Sequence, residues 1–129
     1  MKIIELDPPR VFTIRKESPL EIRHCANIKL EPDEQVTFVT ESGGEYDVTR
    51  KSWGFYATPS LNGRLQKFGL RAVLVKNPDA KYYILLVESD READFQRYLN
   101  DEGIIIVSWL DNDKDLGYLE QELKNPKQG

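Results

Sequence analysis

The sequence predicts an α+β fold: a mostly antiparallel curved sheet or partial β-barrel of about seven to nine strands, with two C-terminal helices packed on it. Three observations carry this reading. Residues 20–30 alternate apolar and polar without a break, short strand-like runs separated by turn residues fill residues 2–88, and the apolar spacing becomes helical after residue 88. A length of 129 residues suits one domain, read as 1–129 with a β-rich meander over 1–88, a helix–strand–helix over 89–124 and a frayed tail over 125–129. With 40% hydrophobic and 31% charged residues, the chain has enough apolar content to fold rather than stay disordered.

Two short strands, 2–6 and 11–15, are expected to open the chain around Pro8-Pro9. Over residues 20–30, Leu20, Ile22, His24, Ala26, Ile28 and Leu30 fall on one face, which predicts a long strand with that face buried. A turn at Glu31-Pro32-Asp33-Glu34 leads into a strand over 35–40, and Ser42-Gly43-Gly44 turns the chain into 45–50. Residues 53–58 read as a strand stopped by Pro59, with one aromatic pair entering the core. Asn62-Gly63 predicts a type I′ turn, since that turn needs φ > 0 at both central residues. Residues 71–76 and 81–88 form a second hairpin around Asn77-Pro78-Asp79-Ala80. Ser89 with Glu92 three residues later reads as a capping box for a helix that Gly103 ends. A buried strand follows over 104–110, then a helix over 113–124 with Leu116, Leu119 and Leu123 on one face.

Composition excludes several chemistries. One histidine, His24, and one cysteine, Cys25, lie side by side; neighbouring strand residues point to opposite faces, so they form no catalytic dyad. A single cysteine forms no intrachain disulfide and suits a reducing, cytoplasmic compartment. The charge of −4 is uneven: residues 50–81 carry seven basic groups against Asp79, while both flanking segments are acidic. That basic middle either complements the acidic segments or meets an anionic ligand. Asp111, Asp113, Asp115 and Glu122 follow calcium-loop spacing, but Leu116 takes the glycine position, and such acids also suit the first turn of a helix. No metal or cofactor is therefore expected.

Residues 53–65 hold the densest functional pattern. Trp53 and Tyr56 supply aromatic surface, while Ser60, Asn62 and Arg64 place a hydroxyl, an amide and a guanidinium around one turn. These groups suit planar, sugar-like or anionic ligands. The expected function is a non-catalytic binding or accessory domain for a small polar or anionic ligand, sugar- or nucleotide-like, or for a protein partner. One alternative is a small metal-independent isomerase or lyase using His24 in a sheet cavity. Another is a structural subunit of a homo-oligomer, joined through residues 82–87 and 104–110. A pI near 5.1 and the absence of nucleic-acid motifs disfavour nucleic acid, and the longest apolar run, 82–87, is too short to cross a membrane.

Overall fold

Residues 1–13 and 21–124 are described by this computed structural model. Among the described residues, eight strands lie in antiparallel sheets with three helices and no closed barrel, which is the expected α+β class. Two of the helices follow the strands that end at residue 88, as expected, and a short third one, within the β-rich part, is added. The strands divide among three sheets, in the orders β1-β2, β3-β4-β5 and β7-β6-β8. The chain clusters into two compact units: Met1–Val36 with Val48–Tyr56, and Thr37–Asp47 with Ala57–Gly129. Positions 14, 15 and 20 and the tail over 125–129, assigned above to strand ends and fraying, lie outside the described residues.

In the first unit, β1 (Lys2–Thr13) pairs antiparallel with β2 (Glu21–Lys29) as a two-stranded ribbon. The two short strands expected at the N-terminus are one element, and the proline pair appears as a break in register between Glu5 and Arg10. The alternation of β2 holds, but the buried face does not: Ile22 and Ile28 are exposed, His24 and Ala26 are half-buried, and only Leu30 is buried. Alternation reports that a face is apolar; burial requires a second layer over it. The turn between these strands and β3 (Gln35–Val39) is held by Asp33 in the left-handed region, whose N–H donates to the Arg50 carbonyl at 2.7 Å. Asp33 also pairs with Lys51, at the end of β4 (Glu45–Lys51).

The second unit centres on β6 (Leu70–Lys76), flanked by β7 (Tyr82–Glu88) and β8 (Ile105–Trp109). The β6–β7 hairpin turns where expected: Asn77 Oδ1 accepts the N–H groups of Asp79 and Lys81, and Ala80 adopts φ 60°. Helix α2 (Glu92–Glu102) connects the two outer strands. Its Phe95 and Leu99 pack on Val73, Val75 and Val87, the odd-numbered face of the sheet. The even-numbered face holds Leu70 and Ala72 against Leu65 of α1 (Arg64–Lys67), with Leu116 and Leu119 of α3 (Asp113–Lys124) beside them. Leu123, expected on the same helical face, is exposed. Ile105 and Val107 are exposed too, and Ile106, Ser108 and Trp109 are only half-buried, so the strand expected to be buried over 104–110 is covered in part and on one side.

One expected helix cap and one expected turn do not form. Ser89 does not cap α2: the N-cap position is Arg91, and no side chain caps it. Gly103 does end the helix, at φ 65°, with the Ile104 N–H reaching the Leu99 carbonyl at 2.9 Å. Asn62-Gly63 is not a type I′ turn, because Gly63 has φ −147° and leads into α1. Here glycine provides room rather than a positive φ, since a Cβ would lie 2.7 Å from Ser60 Oγ. The Ser60 carbonyl accepts the Leu65 N–H and its hydroxyl accepts the Arg64 N–H, turning the chain into a helix that buries Leu65.

Candidate functional site

The five residues expected to bind ligand do not fall in one unit. Trp53 and Tyr56 belong to the first, around the turn into β5 (Gly54–Ala57), and Ser60, Asn62 and Arg64 belong to the second. Trp53 sits in the turn itself and stacks on Tyr56 at 6.3 Å between ring centroids. No aromatic pair enters the core, since Trp53, Phe55 and Tyr56 are 70%, 60% and 45% exposed. The polar trio has intramolecular work. Ser60 starts α1, the Asn62 amide donates to Asp113 Oδ1 at 2.7 Å, and Arg64 lies 3.9 Å from the buried Asp47 carboxylate and over the Phe68 ring.

Other groups of the basic middle are likewise paired. Arg71 bonds Asp111 and Glu92 and stacks on Trp109, and Lys51 pairs with Asp33. His24 has both ring nitrogens engaged, with Nδ1 3.3 Å from Arg10 Nη2 and Nε2 3.2 Å from the Ala26 carbonyl oxygen. The ring therefore carries its proton on Nε2, donating to that carbonyl, and accepts from Arg10 at Nδ1. Among the acids of the calcium-like spacing, Asp111 is taken by Arg71 and Asn112. The cap of α3 is Asn112, whose Oδ1 accepts the Asp115 N–H at 2.8 Å.

A different constellation forms at the end of β7, wholly within the second unit. The Glu88 carboxylate accepts the Ser42 hydroxyl at 2.8 Å and a second hydroxyl from Thr40, whose oxygen in turn accepts the Gly44 N–H at 2.9 Å. These hydroxyls, led by Thr40 and followed by Ser42, hold Glu88 below the usual glutamate pKa. Clefts open around it. One of about 390 Å³ is walled by Leu85, Phe95 and Tyr98, and Arg91 and Asp94 also line it. A second, of about 280 Å³, is walled by Phe38, Tyr46, Leu70 and Leu86. A third, of about 380 Å³, is polar, lined by Thr40, Glu41, Ser42, Glu88, Arg91 and Asp94. The arrangement is an oriented carboxylate with hydroxyl neighbours between apolar and aromatic walls, and its ionisable lining is mainly acidic.

Gly44 makes this packing possible. A Cβ there would lie 2.9 Å from Thr40 Oγ1 and 3.2 Å from both Glu88 Oε1 and Leu70 Cδ2. Gly44→Ala is therefore expected to cost about 1–3 kcal/mol by overpacking. A urea titration reads that cost; unchanged stability would show that the Thr40–Glu88 contact moves freely.

The sequence reading missed Thr40, Ser42, Glu88, Arg91 and Asp94. Ser42-Gly43-Gly44 was legible as a turn and Glu88 as the polar end of an apolar run, but 46 positions separate Ser42 from Glu88. No local spacing links them. No family model matches the chain, and no curated protein or solved structure does either. No helix among the described residues is long and apolar enough to cross a membrane.

Proposed function

We propose that this protein is a non-catalytic binding domain that takes a small polar ligand in the clefts around Glu88. The observation that supports it most directly is the oriented Glu88 carboxylate beside two open clefts of the size that small ligands occupy, one walled by Leu85, Phe95 and Tyr98 and the other lined by polar side chains. The acidic lining favours a hydroxyl-rich or cationic molecule, such as an amino sugar, over an anionic one. A cytoplasmic location accords with the exposed free thiol of Cys25.

A thermal-shift comparison of glucosamine, glucose and glucose 6-phosphate tests this reading. Glucosamine is expected to raise Tm most, and Glu88→Gln to abolish the rise, while Tyr56→Ala and Arg64→Ala leave it intact. Because Glu88 is held below the usual range, the effect should persist as pH falls to about 5. A response to the sugar phosphate alone, lost in Arg64→Ala, would sink the proposal and return the site to residues 53–65.

A second reading, a protein partner, is favoured by one observation: Trp53 is held open to solvent in a tight turn, backed by Tyr56. Exposed aromatics of this kind anchor protein interfaces.

A further inference from the structure

The β1–β2 ribbon carries four rungs of paired side chains on one face. Directly opposed residues of antiparallel strands share a face, and the pairs Ile3–Ile28, Glu5–Ala26, Arg10–His24 and Phe12–Ile22 follow one another along β2 at every second residue. The outer rungs are apolar and stand 39–54% exposed. A two-stranded ribbon has no layer of its own to cover such a face, and ribbons of this kind are marginal in water unless the face is buried.

The order of the rungs is what identifies the occupant. Read from one end it runs apolar, acidic, basic, apolar, with Glu5 and Arg10 both on β1 and flanking the register break. A two-fold axis lying in the plane of the face, across the strands at the level of Cys25, exchanges the first rung with the fourth and the second with the third. It also keeps β1 opposite β1. Two copies stacked this way set Ile3 against Phe12, Ile28 against Ile22, Ala26 against His24 and Glu5 against Arg10, each contact occurring twice. We infer that this face packs on the same face of a second copy of the chain, in an isologous antiparallel stack. The two faces would lie about 10 Å apart, the ordinary spacing of stacked sheets. All the residues involved belong to the first unit, so the inference does not depend on the Glu88 clefts.

Charge reversal tests the axis as well as the contact. Wild-type protein is expected to dimerise in sedimentation experiments between about 1 and 100 μM. Glu5→Arg and Arg10→Glu each oppose like charges twice, so each should weaken self-association by about tenfold or more. An equimolar mixture of the two single variants should form heterodimers, because every reversed position then meets its opposite. The double variant Glu5→Arg/Arg10→Glu should recover homodimers for the same reason. Far-UV circular dichroism controls for folding. The conservative Arg10→Lys gives an independent readout: carbodiimide should join Glu5 of one copy to position 10 of another, in a species of dimer mass. A wild-type monomer throughout, a dimer indifferent to both reversals, or folded single variants that stay apart when mixed would each overturn the proposal.

Discussion

Replacing Asp111 by alanine is expected to destabilise the protein by about 3 kcal/mol at neutral pH, read as a shifted midpoint in urea. Asp111 is 1% exposed, and its carboxylate accepts Arg71 Nε at 2.7 Å, with Arg71 Nη2 at 3.4 Å and the Asn112 amide at 3.3 Å as further donors. Arg71 also bonds Glu92 at 2.8 Å and lies 3.8 Å over the Trp109 ring. Removing Asp111 leaves this guanidinium against the sheet with only a half-exposed carboxylate to answer it. That remaining partner puts the cost at the low end of the range for breaking a buried pair. Exchanging both partners for apolar residues, Arg71→Met with Asp111→Leu, should recover much of the loss, since neither charge is then stranded.

The pH dependence follows from the same contacts. Burial works against the charged form of Asp111, but the hydrogen bonds from Arg71 and Asn112 outweigh it and leave the pKa below the ordinary value. A group depressed in the folded state contributes stability above its unfolded pKa, near 4, and loses that contribution as pH falls through the folded value. The gap between wild type and Asp111→Ala should therefore be constant from pH 7 to about 5 and narrow below pH 4. An equal gap at pH 7 and pH 2 would show that the carboxylate matters only for packing.

Legibility in the sequence followed the range of the interaction. The β6–β7 hairpin was readable because one side chain, Asn77, closes its own turn, and the end of α2 because a glycine, Gly103, takes the left-handed conformation there. The ribbon was readable in period and not in burial, since no residue within β2 encodes what lies over its face. Asn62-Gly63 misled because a local turn preference competed with burial of Leu65, which is fully removed from solvent and worth about 2 kcal/mol. Basic residues 64 and 71 suggested an anion site until their partners, Asp47 and Asp111, arrived from distant segments. The Glu88 constellation joins a turn, a strand end and a helix start, so only the folded chain assembles it.

Phe95→Ala is expected to cost about 3–4 kcal/mol, through lost burial and the cavity left behind. Phe95 closes the cluster of Val73, Val75, Val87 and Leu99 and meets Trp109 edge-on, with centroids 6.2 Å apart. The same indole carries Arg71 on its face, so Phe95 directly and Asp111 through Arg71 both bear on one ring. Their effects should therefore fail to add, with a coupling of about 0.5–1 kcal/mol in a double-mutant cycle. Strict additivity would mean that Trp109 holds its place without either neighbour. Phe95 also walls the larger apolar cleft, so its loss should lower stability and any glucosamine response together. Glu88→Gln keeps an oxygen that can accept the Ser42 hydroxyl, so it should remove the response at a much smaller cost in urea midpoint than Phe95→Ala. That contrast separates a ring that builds the site from a group that serves it.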